Sequence, residues 1–377
     1  MAQCLVTKLK GTVNNNSLPK IGELRIKFRK VSSPSVDSQY LNLSIINTQS
    51  ITIVGDGYFT DSTLSQNKGT TLSITGNNNI VYVSNTNCEV SIPNKYNITD
   101  LNLGNNSKRI FNKELDLDQL KYSPLNSINA PYVNLIGGLD SLKNITSLMS
   151  IIMQGSNVTG NISSLKNLTL LKTLDLVNTN VIGDLDNLKG LTSLTSIYLN
   201  NTNIAGDISS LSGLTSLNNL SLGNTNAIGD ISSLQNLTSL ASLNLGCVNT
   251  MITGNIDIFK SFTKLSSLAL KYSKLSGDIA TLPSSCRFLS MQFDKGSSVT
   301  WSTRPSSAKI IAMEGDIELS NLDAMLQNQA NCQVGFNSSD NAPYKTISTS
   351  IGSRTSASDD AVAALQGKGY TISMRKS

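Results

Sequence analysis

A 23-residue period runs through the middle of the chain and limits its fold more than any other feature. Anchor glycines stand at Gly137, Gly160, Gly183, Gly206, Gly229, Gly254 and Gly277, and each step is 23 residues except the 25 between Gly229 and Gly254. The clearest copy, residues 209–231, reads SSLSGLTSLNNLSLGNTNAIGDI. A fixed period in this range means stacked units, none able to bury its apolar face alone. The middle of the chain is therefore expected to be a solenoid. Solenoids offer long surfaces more often than pockets, which places binding or structural work ahead of catalysis.

Composition narrows the chemistry. Of 377 residues, 39% are hydrophobic and only 15% charged, so polarity comes from Asn, Ser and Thr, which favour turns and strands over helices. The chain has no His, which removes Ser-His-Asp and Cys-His catalysis and imidazole metal sites. The cysteines Cys4, Cys88, Cys247, Cys286 and Cys332 are scattered and odd in number, a spacing suited to neither a disulfide framework nor a zinc site. They read as small buried apolar residues. Asp and Glu are present, but no clustered carboxylate pair and no Gly-rich phosphate loop stands out. The expectation is a non-enzymatic protein with no cofactor and no metal.

The N-terminal MAQCLVTKLKGTVNNN lacks the apolar core and cleavage site of a signal peptide, and no run of about 18 apolar residues exists. Synthesis in a cytoplasm without membrane insertion is the expectation. The net charge of +5 is uneven: residues 1–30 hold seven Lys and Arg against Glu23 alone. In ELRIKFRK, Arg25, Lys27 and Arg29 alternate with Leu24, Ile26 and Phe28, so a strand would carry the cations on one face. That face is either a solvated surface or a docking stripe for an acidic partner. Nucleic acid is disfavoured because no aromatic residues interleave with the cations.

Three segments follow. Residues 1–95 read as short alternating strands between turn residues, at the spacing of a small β-sandwich or barrel, an attachment module. Residues 96–293 form the solenoid, with a junction to about 116 in which Ile98, Leu101 and Leu103 are a first irregular coil. Residues 294–377 break the period and read as a small α/β cap: SNLDAMLQNQ (320–329) and SASDDAVAALQ (356–366) look helical, the second with a Ser356/Asp359 capping box, and a strand through 369–374 closes the chain. The fold class is thus an all-β N-terminal module, a β-rich right-handed solenoid and an α/β cap.

Residues 171–185, LKTLDLVNTNVIGDL, show the repeat position by position. Leu174 and Leu176 point inward from a strand, and Asp175 between them points out. Stacking aligns Leu174, Ile197, Leu220, Leu243 and Leu268 in one buried column, and Leu176, Leu199, Leu222, Leu245 and Leu270 in another. This pattern resembles the leucine-rich repeat, LxxLxLxxNxLxGxI, in its GxI-tailed class. Where that family usually has Asn at the turn, this chain has Ser156, Thr179, Thr202, Thr225, Thr250 and Ser273, whose hydroxyls can bond to a turn backbone and to the neighbouring coil, so a Thr/Ser ladder is expected in its place. The column Asn161, Asp184, Asp207, Asp230, Asn255 and Asp278 is expected to cap turn N–H groups, with calcium bridging as the alternative. A two-residue insertion at Val248–Met251 is expected to bulge.

The outward strand positions make the concave face. Most are small and neutral. Gln154, Asp175, Tyr198, Asn200, Lys271 and Tyr272 are the candidates for recognition, against the alternative of plain exposed sheet.

The flanks carry a second resemblance. LPKIGELRIKF (18–28), GDGYFTDSTLSQN (55–67) and VYVSN (81–85) resemble the N-terminal module of virion-surface proteins in tailed phages of gut Bacteroides, the crAss-like group among them. RPSSAKIIA (304–312), DAMLQNQANC (323–332) and RTSASDDAVAALQGKGYTIS (354–373) resemble the closing segment of related phage repeat proteins. The resemblance implies a virion fibre or spike subunit, a dimer or trimer. Its partners would be capsid, collar or tail proteins on one side and a host surface or glycan on the other. The rival reading is a bacterial interaction scaffold built from the same repeats, in the cytoplasm or at the surface.

Overall fold

The computed structural model describes residues 24–28, 38–45, 49–55, 59–60, 71–74, 79–84, 88–92, 98–103, 113–246, 252–286, 288–300, 309–317, 326–327, 346–354, 356–367 and 371–376. Before residue 98, side chains are described only at Leu24, Ile26 and Val90, all buried.

Each regular coil follows from its spacing. The LxL segment forms a three-residue strand, as at Thr173–Asp175, Ser196–Tyr198 and Asn219–Ser221. The next segment forms a second strand ending at the anchor glycine and the acid after it, as at Asn180–Asp184 and Asn203–Asp207. A 3-10 turn then begins, as at Leu185–Leu188 and Ile208–Leu211. Its apolar residues recur every third position. Leu185, Leu188, Leu191 and Leu194 all lie inside, and so do Ile208, Leu211, Leu214 and Leu217. Three residues per turn is the 3-10 period, which keeps one apolar edge facing the core.

Stacking builds two parallel ladders. The concave ladder begins at Ile98–Asn102 and continues through Ser127–Asn129, Ser150–Ile152, the three strands above, Ser242–Asn244 and Ser267–Asp278. Its register follows the repeat: Ile151, Leu174, Ile197, Leu220, Leu243 and Leu268 are mutual neighbours and all buried. The second column, Leu176, Leu199, Leu222, Leu245 and Leu270, is buried too. Each such leucine contributes on the order of 1.5–3 kcal/mol. The flank ladder runs from Thr159–Asn161 through Asn180–Asp184, Asn203–Asp207 and Asn226–Asp230 to Ile252–Asn255. There Ile182 pairs with Asn203, so neighbouring strands slip by two residues relative to the repeat. The 12-residue strand Ser267–Asp278 belongs to both ladders, pairing with Ser242–Asn244 early and Ile252–Asn255 late.

The first irregular coil is present: Ile98, Leu101 and Leu103 are buried, and Leu101 pairs with Ile128. Strands earlier in the chain pair with both edges of this region. Ser38–Ile45 lies antiparallel to Ile98–Asn102, and Leu24–Phe28 lies antiparallel to Lys113–Asp116.

After the regular repeats the concave ladder continues through Phe288–Thr300, Lys309–Ile317, Thr346–Arg354 and Thr371–Lys376. The helix Asp359–Gly367 connects the last two, with Ala361, Val362 and Leu365 buried. Its first turn carries Asp359 and Asp360, as the N-terminal end of a helix dipole favours. The segment Ser356–Ser358 before it is a 3-10 turn, so the helix starts later than the capping-box reading placed it. Of the other predicted helix, only Leu326 and Gln327 are described, both helical. The insertion at Val248–Met251 lies outside the described residues.

Candidate concave-face site

Asp175 is the second of six residues in a row fixed by sheet register: Ile152, Asp175, Tyr198, Ser221, Asn244 and Ala269 are successive neighbours on parallel strands. All six are half-exposed. Strand spacing puts adjacent members about 4.8 Å apart at the backbone. The structure therefore brings Asp175 and Tyr198 side by side, with Ile152 on the other flank of the carboxylate. Val177 follows just past the end of the strand Thr173–Asp175, half-exposed as well, and its N–H donates to Asp175 Oδ1 at 3.2 Å. Burial raises the Asp175 pKa above the ordinary carboxylate value, and this backbone hydrogen bond only partly opposes it.

Gln154 and Asn200 extend the ladder beyond the strand ends, their carbonyls accepting the N–H groups of Tyr132 and Asn178 at 2.9 Å each. The Asn200 side chain closes over Gly223, where an added Cβ would lie 2.8 Å from Asn200 Nδ2 and 3.2 Å from Asn244 Nδ2. Gly223 thus leaves room for two amides to converge on the concave floor, a feature the sequence reading missed. Lys271 and Tyr272 lie in the strand Ser267–Asp278, three strands beyond that of Tyr198. Their side chains lie outside the described ones. The structure does not bring them into the Asp175 row.

Of the basic stripe, Arg25 and Lys27 fall on the strand Leu24–Phe28. Leu24 and Ile26 are buried, and the register sets Lys27 opposite Glu89 on one side and Glu114 on the other. The side chains of Arg25 and Lys27 lie outside the described ones, and Arg29 lies outside the described residues altogether.

The acidic column caps turns. The side chains of Asn161, Asp184, Asp207, Asp230, Asn255 and Asp278 each accept the N–H two residues ahead, at 2.8–2.9 Å. Each is the N-cap of a 3-10 turn, and that role accounts for the column. At Asp230 the Ser232 backbone N–H, with further hydroxyl bonds, holds the pKa below the ordinary value. Among the described residues no group of three or more His, Cys, Asp or Glu is placed to hold a metal ion. Cys286 is buried in the core, and desolvation pushes its thiol up to about 12.

The expected hydroxyl ladder is corrected. Thr179, Thr202 and Thr225 are buried, but each hydroxyl donates within its own turn, to the carbonyls of Leu176, Leu199 and Leu222 at 2.6–2.7 Å. The coil-to-coil ladder is made by asparagine one position earlier. Asn201 Nδ2 donates to Asn178 Oδ1 at 2.6 Å, and Asn224 Nδ2 to Asn201 Oδ1 at 2.7 Å. Asn178, Asn201 and Asn224 have φ of 55–56°, a left-handed conformation that Asn tolerates better than most residues. The signal was available: the triplet Asn-Thr-Asn recurs at 178–180, 201–203 and 224–226.

Residues 192–236 match the family model of leucine rich repeats, two copies. None of the curated proteins compared with the chain matches it. Among solved structures, an internalin C2 from Listeria monocytogenes is 28% identical, with 47% of this chain and 73% of that one covered and a TM-score of 0.37. A second Listeria internalin is 19% identical, with 74% and 81% covered and a TM-score of 0.47. The leucine-rich-repeat ectodomain of the Arabidopsis receptor kinase HAESA, solved with an extended peptide hormone, is 20% identical. There 58% of this chain and 38% of that one are covered, with a TM-score of 0.47, so this chain spans well under half of the plant ectodomain.

Proposed function

We propose that this leucine-rich-repeat chain is a non-enzymatic subunit on the surface of a tailed-phage particle, where its solenoid is a rigid arm that contacts the host. One observation carries the structural half of this reading. The concave ladder is parallel and unbroken from Ile98–Asn102 to Thr371–Lys376, through the cap as well as the repeats. Through the regular repeats, before the register shifts in its later strands, such a ladder holds outward side chains at fixed spacing, which suits recognition of an extended surface. Its half-exposed row around Asp175 and Tyr198 is the part chemically equipped to discriminate.

The virion half rests on the resemblance of the flanking segments to phage surface proteins. In this reading the strands before residue 98 attach the chain to capsid, collar or tail, and copies associate as a symmetric oligomer. Mass spectrometry of purified particles of the phage encoding the chain tests it. The chain is expected among the virion proteins, and its absence there contradicts the proposal. The matched repeats at 192–236 also support a broader interaction role, as a bacterial scaffold. Recovery of the chain from uninfected bacterial cells alone would favour that second reading.

A further inference from the structure

Within the strands of the concave sheet from Ile98–Asn102 to Ala269, the charged side chains described are Asp100 and Asp175, both acidic; the exposed Lys172 stands just before the strand of Asp175. Asp100 has a local partner, the Thr99 hydroxyl at 3.1 Å. Asp175 differs. It is partly buried between Ile152 and Tyr198, Val177 lies just past the end of its strand, and the partner recorded for its carboxylate is a backbone N–H. Among the described residues, the ion pairs recorded are Lys121 with Asp118 and Lys189 with Asp186, neither of which involves Asp175. A partly desolvated carboxylate with a weak internal partner is costly in the free protein, and an incoming cation relieves that cost.

The neighbours say what kind of cation. Tyr198, its neighbour in register, is an aromatic side chain of the kind that can take a cation over its ring. Ile152 and Val177 offer apolar contact to whatever bears the charge. A lysine or arginine side chain has that form, a charge at the end of an aliphatic stem. An amino sugar does not, because its ammonium sits directly on a hydroxylated ring.

We propose that Asp175 and Tyr198 form the seat for one lysine or arginine side chain of a protein partner lying across the concave sheet. This rests on the reading of that face as the recognition surface and names the chemistry it selects. The chain as a whole carries +5, so a polycation is repelled at long range and its attraction must be local to the seat.

The test titrates the full chain with an oligolysine peptide, with the same peptide acetylated on every side chain, and with a chitosan oligomer. Oligolysine binds the unaltered chain and its acetylated form does not. Asp175→Asn keeps the side-chain shape and weakens oligolysine binding at least about threefold, as does Tyr198→Ala, while Asp100→Asn changes it by less than about twofold. The seat is overturned if Asp175→Asn binds as the parent does, if Asp100→Asn weakens binding equally, or if the chitosan oligomer binds more tightly than oligolysine. Adsorption of particles carrying the same variants separates the two layers of the argument. Loss of adsorption with Tyr198→Ala but not with Asp175→Asn removes the cation seat and keeps the recognition surface. Unchanged adsorption with both variants removes both.

Discussion

Gly206 lies against the carboxylate of Asp184 in the preceding coil. A Cβ on Gly206 would fall 2.5 Å from Asp184 Oδ1, the same oxygen that accepts the Asp186 N–H at 2.8 Å. Gly206 also has φ of 107°, a backbone region nearly closed to other residues. One contact therefore ties the anchor glycine of this coil to the turn cap of the coil before it. Gly229 with Asp207 and Gly254 with Asp230 repeat the arrangement.

Replacement of Gly206 by Ala is expected to destabilise the solenoid by at least about 2 kcal/mol, from backbone strain plus a displaced cap. Gly213 has nothing within 4 Å of an added Cβ, so Gly213→Ala is expected to be neutral or stabilising by up to about 1 kcal/mol. Urea unfolding of the two variants checks the contrast.

Asp184→Ala removes the cap and is expected to cost about 0.5–2 kcal/mol alone. It also clears the space that a Cβ on Gly206 would enter. The double variant with Gly206→Ala should therefore lose less than the two single losses combined, by about 0.5 kcal/mol or more in a double-mutant cycle. Strict additivity would mean that the two residues are not coupled.

Leu170 and Leu171 are adjacent in sequence and opposite in environment, with Leu170 52% exposed and Leu171 fully buried. Leu171→Ala is expected to cost about 2–5 kcal/mol and Leu170→Ala less than about 0.5 kcal/mol. Thermal melts of both variants measure the difference.

Asp175 and Asp230 should respond to pH in opposite senses. Burial raises the folded-state pKa of Asp175, so its ionisation weakens the fold as pH rises through the carboxylate range and stays unfavourable at neutral pH. Asp175→Asn should therefore be neutral or stabilising at pH 7, with the gain vanishing in acid. The Ser232 N–H lowers the folded-state pKa of Asp230, so its stabilisation is present above the unfolded carboxylate pKa and is lost as pH falls through the lowered folded value. Asp230→Asn should be destabilising at pH 7 and lose its effect in acid. Stability curves of both variants from pH 7 down to about pH 2 test the crossing, since that span brackets the carboxylate range.

Much of this was legible because the repeat samples each position several times. The spacing of Gly183, Gly206 and Gly229 gave the coil, and the outward place of Asp175 between Leu174 and Leu176 followed from strand alternation. The capping role of Asp207 was legible because an acid after a fixed glycine has few other uses. The partner of Thr202 was not, since a buried hydroxyl can turn to its own chain or to the next coil, and only the fold shows that the Leu199 carbonyl lies in reach. Nor did sequence reveal the left-handed backbone that aligns Asn178, Asn201 and Asn224. The adjacency of Asp175 and Tyr198 could be read from the 23-residue step, but the half-burial of that carboxylate could not, because it depends on the side chains of three coils.

The central claim is that the chain contacts the host through this face. Purified chain, added in excess, should reduce adsorption of particles of the phage that encodes it to host cells, and the Tyr198→Ala chain should reduce it far less at equal concentration. Undiminished adsorption in the presence of the unaltered chain, or equal competition by the two forms, would contradict the account.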